Sequence, residues 1–508
     1  MKVATDNFFW GVSTSGYQHE GGYNQDGQPL NNWYFWERSR RVPAAGRATD
    51  FWGRYETDMG LASEIGLNAF RLSLEWSRIQ PSWTPDPQDE PPFSQDALEH
   101  YGRILVSARE RGLEPFVTFF HFTHPLWLGL DPWLQPGTPD LFANFVKITL
   151  EALNTSLIKA GHPPLKWFIT VNEPNMLALN TYQSGSFPSL GKKCLDALLT
   201  ATHHLLVAHA LAYRTIHGLY DEHPEWQTQP MVSFNNYASD LYWMDGFMQD
   251  IFAAPSKGVL KENVFCWLQG RCSEFDRRFD KAGLPMDGGG LGWLGRLVKK
   301  WHRRVAEQWV IPSRFERLLS LLYSGPSTLM LDYCAVDYYD PFIAHAFRLP
   351  RFWEMPWSGS KREWLIQSVT SKWWDWRVLP EGLRFFCRCY QETFGNIPIV
   401  IAENGMAVKQ LFSHNLPWRR DSMARSDYLK GHVGMVEKMR DEGMPLIGYF
   451  HWSLTDNYEW GSFEPRFGLF HVNFHSDNLE REAVDSLGDN PSQTYAELIR
   501  QSKNKPTK

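Results

Sequence analysis

Short apolar runs alternate with amphipathic stretches along most of the chain. Eight runs rich in Phe, Val, Ile and Thr are bounded by polar residues, Pro or Gly, which is typical of buried strands. These predicted strands are Phe8–Thr14, Ala69–Trp76, Phe116–Phe122, Trp167–Val171, Met231–Asn235, Tyr333–Tyr338, Ile397–Ala402 and Leu446–Trp452. Helical patterns lie between most of them, at Asp50–Ile65, Leu141–Ile158, Leu195–His217, Gly382–Phe394 and Asp427–Glu442. Eight strand-then-helix units favour a closed parallel (β/α)8 barrel, with an open doubly wound sheet as the alternative.

One segment, residues 242–330, departs from this alternation. We predict that residues 1–508 form a single catalytic (β/α)8 barrel domain and that this segment is a loop insertion with its own helices. Within it, Gly290–Gly295 matches a GxGxxG pattern, but no good strand precedes the glycines, so a loop is favoured over a dinucleotide site. The polar residues Gln501–Lys508 are predicted to be a frayed tail.

Composition narrows the class of protein further. The chain has 51 basic and 57 acidic residues, a formal charge of −6, which argues against nucleic-acid and anionic-membrane partners. Neither a secretory leader nor a run of about 18 apolar residues is present, so the sequence predicts a cytoplasmic protein. Twenty-four Trp residues are more than a core of this kind needs and weakly favour a sugar-binding pocket. No Cys pair has CxxC spacing, so we expect neither a metal nor a cofactor.

Polar side chains gather where the predicted strands end, which is the end of a barrel that bears its active site. They are Gln18, Arg71, His121, Asn172, Glu173, Tyr339, Glu403, Trp452 and Glu459. Each alone has an ordinary structural explanation, such as a solvated salt bridge for a Glu or a core position for a His. Together they bring carboxylates to one face without a metal-ligand cluster or a GxSxG nucleophile. Paired carboxylates in that setting indicate acid/base or nucleophilic chemistry at a glycosidic bond.

Several segments are similar to the motifs of family 1 glycoside hydrolases, the β-glucosidase family. Trp167–Pro174, WFITVNEP, resembles the family's TxNEP signature, and Ile401–Gly405, IAENG, resembles its I/V-T-E-N-G signature. Further matches occur in the family's order and at its spacing. They are Phe9–Gly11, Gln18–Gly21, Arg71–Ile79, Pro380–Leu383 and Gly448–Trp460.

The resemblance implies a role for each matching residue. Glu173 corresponds to the general acid/base, Glu403 to the nucleophile, and Arg71 and Tyr339 to residues that hold the nucleophile. Asn172 corresponds to the amide that contacts the sugar 2-hydroxyl. Trp376 corresponds to the indole beneath the leaving group. The residues that match the clamp on the other hydroxyls are Gln18, His121, Trp452, Glu459 and Trp460.

The resulting hypothesis is a retaining exo-β-glycosidase that hydrolyses β-D-glucosides, with β-galactosides and β-fucosides as further candidate substrates. Its expected partner is a small β-glycoside or an oligosaccharide. A transglycosylase that uses the same site, or a non-catalytic sugar-binding protein, is the alternative, although both carboxylates are present. The segment at Glu459 lacks the phosphate-binding pattern of the 6-phospho-glycosidase branch. Two departures concern specificity: Asp337 stands where the family usually has Asn, and the loop after Glu459 is one residue short before Phe463.

Overall fold

A computed structural model describes residues 8–86, 89–285, 292–325, 329–349, 365, 368–411 and 415–505. Its centre is a closed barrel of eight parallel strands, in which each strand pairs with the next along the chain and the last pairs with the first. The strands are β1 Phe9–Ser13, β2 Ala69–Ser73, β3 Glu114–Phe120, β4 Trp167–Asn172, β5 Met231–Tyr237, β6 Cys334–Tyr338, β7 Ile399–Asn404 and β8 Leu446–Trp452. The predicted (β/α)8 barrel is confirmed, and the open sheet is excluded.

Helices surround the barrel and extend from its loops. They are α1 Phe51–Glu64, α2 Gln95–Glu110, α3 Thr138–Lys159, α4 Pro174–Leu179, α5 Leu195–Glu222, α6 Gly246–Ala253, α7 Val264–Ala282, α8 Gly292–Trp309, α9 Glu316–Leu322, α10 Pro380–Phe394, α11 Arg425–Asp441 and α12 Pro491–Lys503. Among the described helices, none is both long and apolar enough to cross a membrane.

Three local predictions differ from the structure. Strand β2 ends at Ser73, because residues Trp76–Ile79 form a helical turn. The GxGxxG segment is helical from Gly292 onward, at the start of α8, rather than a loop. The tail predicted from Gln501 begins inside α12, which continues to Lys503. Apolar patterning does not report where such boundaries fall.

The barrel has an apolar lower interior and a polar upper end. Phe116 of β3 and Trp167 of β4 stack inside it, with ring centroids 5.0 Å apart, and Phe450 of β8 packs edge-on against Phe116. The opposite faces of the strands pack against the helices, as Phe70 does in β2. One residue further along β2, the barrel interior receives the fully buried Arg71. Side chains therefore fill the lower layers of the barrel, and the site lies above them.

Two β-bulges aim polar residues into the barrel. Between Ile169 and Asn172, three steps along β4 match two steps along β5. Between Ile401 and Glu403, two steps along β7 match one step along β6. An extra residue turns the side chains that follow to the other face of the strand. Both bulges come just before the acidic or amide residues that line the upper end of the barrel.

The insertion lies in the loop between β5 and β6. Its helices α6 to α9 occupy most of residues 246–322, and α7 packs Phe275 and Phe279 against Phe385 of α10. Helix α8 approaches the loop after β6 so closely that a Cβ on Gly295 would lie 2.6 Å from Cα of Ala344. The insertion thus sits at the end of the barrel where β5 and β6 terminate.

Candidate active site

A cavity of about 230 Å³ opens at the C-terminal end of the strands. Nine of the eleven predicted site residues line it: His121, Asn172, Glu173, Tyr339, Trp376, Glu403, Trp452, Glu459 and Trp460. The other two lie directly behind the lining, where Arg71 donates to Glu403 and Gln18 donates to Glu459. The structure therefore brings all eleven into one connected cluster.

Glu403 receives a donor at each carboxylate oxygen. The Arg71 guanidinium donates to Oε1 at 2.7 Å, and the Tyr339 hydroxyl donates to Oε2 at 2.8 Å. Burial raises the pKa of Glu403 above its ordinary value, and the charge of Arg71 with the hydrogen bonds from Tyr339 and Arg71 offsets part of that rise. This pair of donors fixes the carboxylate plane and favours its charged form.

Glu173 stands at the N-terminus of α4, in a left-handed backbone conformation with φ of 38°. Its backbone N–H donates to the carbonyl of Asn235, which ties the loop to β5. Burial raises the pKa of Glu173 well above its ordinary value, and the neighbouring Glu403 raises it further. Of the two carboxyls, Glu403 has the stronger stabilisation of its anion, so Glu173 retains its proton to higher pH.

Asn172 connects both halves of the site. Its Oδ1 accepts from Arg71 at 2.6 Å and from Asn235 at 2.8 Å, and its Nδ2 lies 3.3 Å from Nε2 of His121. With the oxygen held by two donors, the amide nitrogen is turned toward the cavity side. Burial, followed by the charge of Arg71, lowers the pKa of His121 well below its ordinary value, so this imidazole is neutral.

Asp337 adds a third carboxyl beneath the cavity. It is fully buried, accepts a hydrogen bond from Asn235, and has an oxygen 4.0 Å from Nη1 of Arg71. One oxygen each from Glu173, Asp337 and Glu403 lie within 4.8 Å of one another. Burial raises the pKa of Asp337 well above its ordinary value, and the two glutamates raise it further. Asp337 is therefore a protonated, neutral group when Glu403 is ionised.

Glu459 forms the opposite wall with its own donors. Gln18 Nε2 donates to Oε2 at 2.8 Å, and Trp452 Nε1 donates to Oε1 at 2.9 Å. Each oxygen keeps a further lone pair for a ligand. Burial raises the pKa of Glu459 to about 8, although the hydrogen bonds from Trp452 and Gln18 oppose the rise. Phe463, beyond the shortened loop, packs on Tyr458 and Phe474 and does not line the cavity.

Aromatic rings form the remaining walls. The His121 ring stacks on Trp452 and on Trp460, with centroids 5.8 Å apart in both pairs. At the other side, Trp376 stacks on Trp373 at 6.1 Å and contacts Tyr339 at 5.6 Å. Flat apolar walls around a few fixed polar groups suit a ring that has both a C–H face and hydroxyl edges.

Sequence reasoning missed part of the cavity. Tyr237, which lines the cavity, ends β5, the one strand for which no site residue was predicted, and Asn235 of the same strand donates to Asn172 behind the lining. Strand-end position alone would have found both. Trp373 is next to the predicted Trp376 in the same turn. Phe187 and Phe467 come from loops, and apolar patterning gives no sign that these rings face the cavity.

The sequence predicts no metal and no cofactor, and this remains a prediction. Among the described residues, the one group of three acids with converging oxygens is Glu173, Asp337 and Glu403. The Arg71 guanidinium already lies against two of them, at 2.7 Å from Glu403 and 4.0 Å from Asp337. The positive charge of Arg71 thus already faces two of the three acids.

Comparison with known proteins identifies the family. A sequence model of glycosyl hydrolase family 1 matches residues 2–251 and 327–503, which is most of the chain. The chain belongs to glycosyl hydrolase family 1. It is therefore a glycoside hydrolase. The family match leaves out residues 252–326, which lie within the insertion that the sequence predicts for residues 242–330.

Individual relatives differ in the substrates that their names state. The chain is 26% identical over 480 residues to beta-glucosidase A of Thermotoga maritima, covering 93% of this chain and 94% of the relative. It is 27% identical over 488 residues to 6-phospho-beta-galactosidase 1 of Streptococcus pneumoniae, covering 93% and 95%. The family 1 β-glucosidase of Thermotoga maritima in complex with isofagomine lactam superimposes with a TM-score of 0.68 at 22% identity, covering both chains fully. The last similarity concerns the fold.

Proposed function

We propose that this family 1 enzyme is a retaining exo-β-glycosidase that hydrolyses β-D-glucosides through a covalent glycosyl-enzyme. The observation that supports it most directly is that a carboxyl oxygen of Glu173 lies within 4.8 Å of a carboxyl oxygen of Glu403. Retaining glycosidases hold their two carboxyls about 5–5.5 Å apart, whereas inverting ones leave about 6.5–9.5 Å for a water molecule. The spacing leaves room for direct attack by a carboxylate.

In the first half of the reaction, Glu403 attacks the anomeric carbon while Glu173 gives its proton to the departing oxygen. Arg71 and Tyr339 keep Glu403 ionised and oriented. Burial, followed by charge repulsion from Glu403, keeps Glu173 protonated. Each carboxyl is thus in the protonation state that its role requires.

In the second half, the ester at Glu403 has no charge. The repulsion that held the proton on Glu173 is then gone, so Glu173 accepts a proton from water as that water attacks the anomeric carbon. The Glu403–sugar bond breaks, and the electron pair returns to the carboxylate beside Arg71. Asn172, whose oxygen is fixed by Arg71 and Asn235, directs its N–H group to the 2-hydroxyl.

The choice of an unphosphorylated sugar rests on Glu459. Its two oxygens accept from Gln18 and Trp452 and have capacity for two adjacent sugar hydroxyls. A carboxyl group at this wall offers no positive charge to hold a phosphate group. The relatives include both β-glucosidases and 6-phospho-β-galactosidases, so the wall residue, rather than overall identity, supports glucosides.

The test of substrate class is nitrophenol release from aryl β-glucoside, β-galactoside, β-fucoside, β-mannoside and β-glucoside 6-phosphate. We expect turnover of the unphosphorylated glucoside, with the galactoside and fucoside next. Exclusive turnover of the 6-phosphate would contradict the proposal for Glu459. Lack of turnover of every glycoside, with intact sugar binding, would favour the non-catalytic alternative.

The test of mechanism is Glu403→Ala. We expect kcat to fall by ~10⁴-fold or more, because the attacking group is removed. Azide or formate would enter the vacated space, restore part of the rate and give a product of inverted configuration, which NMR of the anomeric proton detects. The exposed Glu464→Ala is the matched control and retains full activity. Undiminished activity in Glu403→Ala would exclude it as the nucleophile.

A further inference from the structure

Helix α8 presents three large apolar side chains to solvent. Trp293 and Leu297 are each 54% exposed, and Trp301 is 65% exposed. The three follow one another at intervals of four residues, so they form a single row along the helix. Exposed apolar residues usually occur singly and need no explanation, whereas a contiguous row indicates an interaction surface.

A second row, of basic residues, lies beside the first. Arg296, Lys300 and Arg304 are exposed and also repeat every four residues, so the two rows share one face of the helix. On the inner side of α8, Asp276 of α7 forms ion pairs with Lys299 and Arg303. Within the part of the chain that the structure describes, no carboxylate pairs with these three bases, and the one acid of α8, the half-buried Glu307, pairs with Arg303.

The inner face of α8 is fixed to the protein. Gly295 packs against the backbone of Ala344, Lys299 lies 4.1 Å from the centroid of the Phe279 ring, and Ala306 and Val310 are buried. The outward rows are thus presented by an anchored helix. This helix lies in the segment that the family match leaves out.

We propose that the exposed face of α8, formed by Trp293, Leu297 and Trp301 with Arg296, Lys300 and Arg304, binds an anionic lipid membrane surface. Indole rings favour the boundary between headgroups and acyl chains, and aliphatic side chains insert just below it. Lys and Arg placed beside them meet the negative headgroups. The charge of the face is opposite to that of the surface it meets.

The net charge of the whole chain argued against such a partner. That argument fails locally, because the −6 of the chain is spread over 508 residues. The fully exposed residues of α8 include three bases and no acid, and its one acid, the half-buried Glu307, pairs with Arg303. Because α8 packs on the loop that leaves β6, binding through this face would hold the C-terminal end of the barrel next to the lipid. The interaction itself does not depend on the proposed catalytic mechanism.

The test is flotation of the full-length protein with vesicles of phosphatidylcholine alone or of phosphatidylcholine mixed with phosphatidylserine. We expect binding to the mixed vesicles only, weakened by added salt because screening acts on exposed charges. Replacing all three bases (R296Q, K300Q, R304Q) lowers binding by about 100-fold, since each base near an anionic surface contributes a gain of roughly five-fold. The variant W293Q with W301Q also loses binding.

Control variants remove the same charge, or one exposed indole, elsewhere on the surface. They are K147Q with K257Q and K438Q, all exposed, and W83Q, whose indole is 61% exposed. These controls bind like the unmodified protein, and every variant keeps its melting temperature. Absence of binding to mixed vesicles, or equal loss in the controls, would overturn the proposal. A dimer in sedimentation that W293Q with W301Q abolishes would also overturn it, because a second copy would then cover the face.

Discussion

At the level of single residues, the pocket places three carboxyls near one guanidinium. Arg71 offsets one negative charge, and Glu403 has its closest contact at 2.7 Å. The remaining two carboxyls, Glu173 and Asp337, therefore keep protons, because burying an uncompensated charge is costly. For Glu173 the proton serves the proposed reaction. For Asp337 it makes the side chain resemble the asparagine that the family usually has at this position.

Asp337→Asn tests that conclusion through stability. The pKa of Asp337 is raised in the folded protein. At a pH between its ordinary pKa and this raised pKa, the wild-type side chain is protonated when folded and ionised when unfolded. Folding then requires uptake of a proton, so this residue costs increasing stability as pH rises from its unfolded pKa toward its folded pKa. We expect Asp337→Asn to raise the melting temperature in neutral buffer and to change it little in acid, with activity kept within a few-fold.

Asp456→Asn is a control of opposite sign. Burial alone would raise the pKa of Asp456, but the neighbouring His471, 3.6 Å away, and the charge of Arg466 lower it to about 2. Its stabilising contribution is present above the unfolded pKa and is lost as pH falls toward 2. Asp456→Asn should therefore lower the melting temperature in neutral buffer and have a smaller effect in acid. The same trend with pH for both variants would contradict the protonated state of Asp337.

Glu459→Gln tests recognition of the sugar. The amide keeps the size of the side chain but cannot accept at its nitrogen, so it loses a hydrogen bond to a sugar hydroxyl and disturbs those from Gln18 and Trp452. At about 1–3 kcal/mol for a buried polar group left without its partner, we expect kcat/KM to fall by roughly 5- to 150-fold. The ratio of glucoside to galactoside turnover should also change. An unchanged ratio would remove Glu459 from the determinants of specificity.

At the level of elements, the sequence predicts strands well but not their irregularities. All eight strands follow from apolar runs between polar boundaries, and β8 was predicted with its observed ends. The bulges before Asn172 and Glu403 leave no trace in that pattern, because both faces of a barrel strand are buried. The strand-end rule and the family motifs predicted nine residues that line the cavity. The ring of Phe467 comes from a loop and leaves no sign in the pattern.

Gly405→Ala tests how the end of β7 is held. A Cβ at Gly405 would lie 2.2 Å from the backbone carbonyl oxygen of Trp452, so the strand end would have to move. Glu403 is two residues away, and a displacement of about 1 Å in a catalytic group costs roughly 100-fold in rate. We expect kcat to fall by about that factor. Gly434→Ala in α11, where no atom lies within 4 Å of the added Cβ, is the control and should stabilise by about 0.5–1 kcal/mol.

At the level of the whole molecule, the barrel closes where the first strand meets the last. β1 pairs with β8 along five residues, and α12, near the C-terminus, packs across this seam. The hydroxyl of the fully buried Tyr495 in α12 donates to the carbonyl of Gly11 at 3.0 Å, and its ring contacts Trp10 and Tyr449. Closure of the sheet therefore joins residues from both ends of the chain.

Gln18 follows β1 and Glu459 follows β8, so these two hydrogen-bonded residues of the cavity wall come from the two strands that meet at the seam. We expect Tyr495→Ala to lower the free energy of unfolding by about 3–5 kcal/mol, the cost of removing a large buried ring. Tyr495→Phe, which removes only the hydroxyl, should cost about 0.5–1.5 kcal/mol. Urea unfolding of both variants measures the difference, and equal losses would mean that the hydroxyl rather than the ring secures the seam.

If the seam loosens before the barrel unfolds, KM for the glucoside in Tyr495→Ala rises at urea concentrations below the unfolding transition, because Gln18 and Glu459 separate first.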